Sequence, residues 1–384
     1  MATSFPTLPG VKIMEVRLAG PPISGVGTST AGFVGVAPKA GQFTMIARVV
    51  TSFDQFTNDY IGTATTSTPL AYAVQGFFLN GGTECYVVNT DSAAAPDFVK
   101  GLKLLEVLTD VEIIAAPGSI DASVYSELEG QALRTGDRFA ILDTPPKTTD
   151  LGTLLEGGTS RPTDSIWAAF YYPRIQVGPL LSGDPQDTVN SPIWITPTGH
   201  LAGVYARVDA TKGVHKAPAN EVVLGALALE HLLTDSDQNA LNNDGVNAIR
   251  NFAEGPTVWG ARTVMVHDAA DKTFRYLNVR RLTTYVEQSL KVGLRFAVFE
   301  PNNLALRQTI TRSVRAFLNG VWRDGALFGA TADDAFYVRF PDIYNTDTDA
   351  ANGTLTLEVG MRVSYPAEFI IVRIGLLLQS ASSA

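Results

Sequence analysis

Cysteine is all but missing from this chain of 384 residues. The single one, Cys85 in the run ECYVVNT, has no partner for an internal disulfide, and its apolar neighbours place it on a buried strand and not at a reactive thiol site. Charge is sparse as well: 29 Lys and Arg against 38 Asp and Glu leave a net charge of −9, and charged residues make up 17% of the sequence. That balance excludes nucleic acid or an anionic membrane as the principal partner, because either draws a cationic face. A lightly charged surface suits wide contacts between subunits. Long apolar runs are also lacking. The nearest approach, FIIVRIGLLL close to the C-terminus, falls short of the roughly 18 residues of a membrane span and carries Arg373. The opening MATSFPTLPG has neither the basic nor the apolar region of a secretion signal, so the chain is expected to be made and kept in the cytoplasm, leaving it only by lysis or a non-classical route.

The usual catalytic and cofactor patterns are missing too. His200, His215, His231 and His267 show no HExxH or other short paired spacing, and turn or surface positions are expected for all four. No GxxxxGK[ST] loop occurs, and GVGTSTAG lacks the third glycine of a dinucleotide loop. The segment DSDQNALNNDG alternates carboxylates and amides like a calcium loop. Ala240 and Val246 stand where such a loop needs its glycine and its bidentate glutamate, so a helix running into a turn is expected there instead.

What the chain does have is punctuation. The first twenty or so residues are broken by Pro6, Pro9, Gly10, Gly20, Pro21 and Pro22 around a strand-like VKIMEVRL, which reads as an extended arm. SFDQFTNDYIG reads as a helix capped by Ser52, and PLAYAVQGFFLNGG as a second that stops at Gly81. ECYVVNT, VEIIAAPG, RFAILDTP and SIWAAFYYP are short apolar runs separated by helical stretches, the pattern of a mainly parallel sheet covered on both faces. Pro192 to Pro218 reads as irregular chain. Two amphipathic helices follow, with Val279, Leu282, Val286 and Leu290 on one face of the first and Leu306, Ile310, Val314, Phe317 and Leu318 on one face of the second. Strands FAVFE, AFYVRF and TLTLEVGMRVSYP complete an α+β unit, and EFIIVRIGLLLQ forms a closing strand before the tail SASSA.

GPTVWGARTV at Gly255 to Val264 and FRYLNVRRLTTYVEQSLKVGLRFAVFEPNNLALR at Phe274 to Arg307 resemble the C-terminal block of contractile tail sheath proteins. The family includes phage tail sheaths and the sheaths of phage-tail-like injection particles. PGVKIMEV (Pro9 to Val16) and ISGVGTSTAGFVGVAPKA (Ile23 to Ala40) resemble its N-terminus, and TGHLAGVYARVDATKGVHKAPAN (Thr198 to Asn220) its middle. GALFGATADDAFYVRF (Gly325 to Phe340) and YPAEFIIVRI (Tyr365 to Ile374) resemble its closing segments. The number and order of these blocks carry the resemblance, since none is a chemical signature and residues 91 to 192 show only a generic α/β pattern.

The resemblance implies a multidomain α/β and α+β fold: a C-terminal α+β sheath domain completed by the N-terminal segment, an inserted subtilisin-like α/β domain, and extended terminal arms. The expected boundaries are 1–22 for the arm, 23–90 for the N-terminal part of the sheath core, 91–254 for the inserted domain, 255–367 for the C-terminal core and 368–384 for the last strand and tail. GTSTA (Gly27 to Ala31) is similar to the surroundings of a subtilisin nucleophile, but Ser29 precedes every candidate Asp and His, the reverse of the subtilisin order.

The function implied is a structural subunit that stacks in hexameric rings around an inner tube and contracts to drive the tube through a target envelope. No catalytic residue, cofactor or metal is expected. Its partners would be other copies of itself, the inner tube protein, and baseplate and tail-terminator or cap proteins. It would assemble in the bacterial cytoplasm, with no nucleic acid bound and no insertion into a membrane. Strands around Val11, Ile13 and Val16 and around Phe369, Ile371, Val372 and Ile374 would link neighbouring subunits, and Arg280, Arg281, Glu287 and Lys291 on a charged helix would face the tube. Two alternatives are an α/β hydrolase-like enzyme using Ser29 or the strand end at Asp143, and a rigid tube protein that forms without firing.

Overall fold

The short apolar runs of the first two thirds of the chain become strands of one sheet. The computed structural model describes residues 21–265 and 270–368. In it the successive strands are β1 (Ala31–Gly35), β2 (Arg48–Val50), β3 (Cys85–Asn89), β4 (Ile113–Ala115), β5 (Phe139–Leu142) and β6 (Ala168–Tyr172). Then come β7 (Ile175–Val177), β8 (Ile193–Ile195), β9 (Glu221–Val222), β10 (Ala228–Leu229), β11 (Val246–Phe252) and β12 (Gly255–Val258). The sheet has nine strands in the order β2-β3-β1-β4-β5-β6-β11-β12-β9. From β3 to β11 all pairings are parallel, as the apolar runs imply, and antiparallel strands close both edges. β10, β7 and β8 form a second, small sheet.

Helices cover both faces. α1 (Phe53–Phe56) starts at Ser52, whose side chain accepts from the Gln55 N–H, and α2 (Pro69–Leu79) has Thr68 as its cap and a proline in its first turn. Both caps satisfy donors that a helix start leaves open. α3 (Ala95–Glu106) and α4 (Ala122–Thr135) pack with Val34, Val88, Ile114 and Ala140 on one side of the sheet. α2 and α5 (Thr198–Lys212) pack with Phe33, Val87, Ile113 and Ile141 on the other. Neighbouring residues such as Phe33 and Val34 thus enter opposite cores, as the period of two requires.

α5 lies in the stretch expected to be irregular. The apolar pattern hid it because the helix is buried nearly all round, so it has no polar stripe to reveal a period. Gly199 and Gly203 set its distance from α2: a methyl group at either would overlap the backbone carbonyl of Ala73 or Phe77. α6 (Asp235–Asn243) is the expected helix-to-turn segment, opened by a capping box between Thr234 and Asp237.

β1 and β3, from residues 23–90, are interior strands of the same sheet as β4 to β6, from residues 91–254. The chain separates into a larger unit, Val26–Val286 with residues 363–368, and a smaller one, residues 21–25 with Glu287–Arg362. The division falls inside α7 (Leu277–Gly293). The smaller unit holds α8 (Leu304–Arg323), with Ile310, Val314 and Leu318 on its buried face, packed on β13 (Phe336–Arg339), which pairs antiparallel with β14 (Glu358–Met361). FAVFE, expected as a strand, is instead a short 3-10 turn over Arg295–Ala297 followed by exposed Val298 and Phe299. Phe299 has φ +68°, in the left-handed region, which ends any extended run.

Candidate functional site

The parallel strands run 3-1-4-5-6-11, so their order reverses between β1 and β4. In open α/β sheets ligands bind in the crevice at such a reversal, beyond the carboxyl ends of the strands. Here the start of α2 fills it. A methyl group at Gly118, after β4, would lie 2.8 Å from the Pro69 Cβ, and one at Gly35, at the end of β1, 3.1 Å from the Leu70 Cβ.

Asp143 follows β5 at this same edge and is 2% exposed. Its Oδ2 accepts from the Gly118 N–H at 2.7 Å and its carbonyl accepts from the Tyr125 hydroxyl at 2.6 Å. Burial pushes its carboxyl up to about 7. Ser29 precedes β1 and so lies at the opposite, amino edge of the parallel strands; the fold does not bring the two together. The backbone around Ser29 is held for structural ends: the Thr30 N–H donates to Glu112 at 2.9 Å and the Thr28 carbonyl accepts from Arg281 at 2.8 Å.

His200, expected at the surface, is instead buried on α5 against Gly76, and burial lowers it to about 4, so it stays neutral. His231 lies beside the Tyr172 ring, the His215 carbonyl accepts from Asn278 at 2.7 Å, and His267 is outside the described residues. No group of three or more metal-ligating side chains occurs among the described residues.

The residues expected to face a tube part company. Arg280 and Arg281 are 4% and 5% exposed. Arg280 lies between the Trp167 and Phe274 rings, 4.3 Å from each centroid. Arg281 makes a two-pronged bond to Asp209 at 2.6 and 3.0 Å and stands over Tyr205. These guanidiniums are buried and hold the larger unit together. Glu287 and Lys291, further along α7, are exposed. The arm residues Val11, Ile13, Val16, Phe369, Ile371, Val372 and Ile374 lie outside the described residues.

Residue patterns also missed several exposed apolar side chains. In the smaller unit Val298 is 60% and Phe299 103% exposed, and Leu304, Phe328 and Ile343 are exposed as well. An apolar run read as a strand concealed the first two. The signal that finds them is position: FAVFE is followed at once by PNN, which closes the run before it can pair.

The comparisons with known proteins agree with one another. The phage tail sheath protein central domain matches residues 91–264, and the phage tail sheath C-terminal domain residues 269–376. The tail sheath protein of Burkholderia phage BcepMu is 28% identical over 274 residues, which is 67% of this chain and 53% of that protein, so the matched stretch spans about half of the relative. The sheath complex of an extracellular contractile injection system, PVC, in its contracted state is 31% identical, with a TM-score of 0.78, covering 97% of this chain and 98% of the other. The six-fold symmetrised baseplate structure of the anti-feeding prophage contains a chain 27% identical, with a TM-score of 0.76, covering 97% of this chain and all of that one.

Proposed function

The chain belongs to the phage tail sheath family, and on that premise we propose that it is the sheath subunit of a contractile particle, phage tail or tail-like, stacked as hexameric rings around an inner tube. The observation that carries this reading is its similarity, over 97% of its length, to a sheath in the contracted state. The filled crevice at the sheet reversal and the separation of Ser29 from Asp143 favour a structural role over hydrolysis.

Subunits that slide past one another without parting need links that do not depend on their flat contacts. Main-chain pairing of an extended segment with a neighbour's sheet supplies such a link. The smaller unit has a two-stranded sheet, β13 with β14, which is marginal alone and gains from added strands. The segments around Val11, Ile13 and Val16 and around Phe369, Ile371, Val372 and Ile374 are the strands we assign to it. The contact is head-to-tail and builds an open helical stack. Glu287 and Lys291 are assigned to the tube-facing surface, where rim charges set register more than affinity. Arg280 and Arg281 support that helix from within.

Contraction then needs no nucleotide. The extended stack holds interfaces that re-form in a shorter arrangement once the baseplate releases them, and coupling of about 1–3 kcal/mol per contact adds up over many subunits. Deleting Met1 to Leu18 tests the links. The truncated chain is expected to fold and to form no sheaths when co-expressed with tube and baseplate proteins, as judged by negative-stain electron microscopy. Normal contractile cylinders from the truncated chain would refute the assignment.

A further inference from the structure

The larger unit carries a groove of about 1040 Å³. That lies at the top of the range that accepts a drug-sized ligand, with room for a short run of side chains. Its walls come from the loop after α5, from α6, from the end of β12 and from residues 364–368, with Ala217, Asn239, Trp259, Tyr276 and Tyr365 among them. Trp259 is 39% exposed although its ring packs on Phe252 at 4.5 Å, and Tyr276 meets Tyr365 edge-on at 6.3 Å. Aromatic rings and side-chain amides in the lining, beside the charged Lys212, Lys216 and Asp235, suit an extended peptide whose apolar side chains need cover and whose main chain needs hydrogen-bond partners.

The chain itself leads into this groove. Glu368 is part of the wall and is fixed there: its carboxylate accepts from Arg262, Tyr276 and Asn242, each at 2.7 Å. Burial pushes its carboxyl up, and these three donors outweigh that and hold it below its ordinary value. Sixteen residues follow, FIIVRIGLLLQSASSA, which at full extension reach about 50 Å. Eight of the ten from Phe369 to Leu378 are large and apolar, and Arg373 is the one charged side chain.

We propose that in the unassembled subunit residues 369–378 lie in the groove of their own larger unit and leave it only when the sheath forms. The departure rests on the strand-donation reading above; the occupancy does not. A long apolar strand left open is a template for aggregation, so a subunit awaiting assembly gains by covering it. The occupant is the subunit's own tail because the tether gives an effective concentration of order millimolar, which a separate copy at ordinary concentration does not match. The groove then acts as a holster that keeps the linking strand from pairing early.

The test uses the full chain with the pair Asn239→Cys and Val372→Cys; the native Cys85 is buried and does not compete. The expected product on oxidation is a cross-link within one chain, formed at a rate independent of protein concentration. In parallel, a chain ending at Glu368 should roughly double the quenching of Trp259 by acrylamide, with Trp259→Phe as background, and the peptide FIIVRIGLLLQ added in trans should reverse it. Cross-links only between chains would give the groove to a second copy and overturn the proposal, as would an absent cross-link with unchanged quenching. If the cross-linked protein assembles into sheaths only after reduction, both readings stand. If it assembles in neither state while the cross-link forms, the strand-donation reading fails and the occupied groove remains.

Discussion

Three carboxyls, Glu112, Glu129 and Asp143, are held by burial at about 7. A folded carboxyl raised above its unfolded value near about 4 keeps its proton while the unfolded chain loses one, so stability is fully present below about pH 4 and falls as pH climbs towards 7. Asp143→Asn removes one such group and retains an oxygen for the Gly118 N–H. The variant should be more stable than the parent at about pH 8 and equal to it near about pH 4, by urea unfolding at both. An identical difference at both values would show that the carboxyl does not titrate as stated. Arg281 teaches the companion lesson about what a sequence reveals. Its partner Asp209 is 72 positions away in the chain, so helical spacing alone gave no sign that the arginine is buried.

At the scale of elements, the glycines of the chain separate into those the packing requires and those it merely tolerates. Gly203→Ala on α5 drives a methyl into the Phe77 carbonyl, a backbone atom that cannot turn aside, and should cost about 1–3 kcal/mol or more. Gly320→Ala on α8 meets nothing within 4 Å and should stabilise by about 0.5–1 kcal/mol, because alanine loses less backbone entropy in a helix. Opposite shifts in the denaturant midpoint are the expected outcome, and a destabilised Gly320→Ala would contradict the account. Amphipathic and punctuated elements were legible: the stripes of α7 and α8, the Ser52 cap and the run of parallel strands all follow from local pattern. α5 was not, since a helix buried on every side displays no period. Nor was the make-up of the large sheet, because membership of a sheet depends on which distant strands pair, and β1 gains its neighbours from residues far beyond it. The site was less legible than the fold, and the exposed pair after α7 was hidden by looking like a strand.

For the whole molecule, the sheath role proposed above gives the exposed apolar residues of the smaller unit a place in subunit contacts and none in the fold. Phe299→Asp touches a side chain that is fully in solvent, so the unfolding free energy of the isolated chain should move by less than about 0.5 kcal/mol. The yield of sheaths with the tube protein, counted by electron microscopy, should fall sharply; undiminished sheaths would remove Phe299 from the contact. The same scale gives the seam between α2 and α5 a wider meaning. At Gly199 and Gly203 of α5 the backbone of α2 comes closer than any side chain would allow, and the His200 ring fills the matching space over Gly76. In the sheath role proposed above, a seam this tight would pass force from one helix to the other with little internal creep.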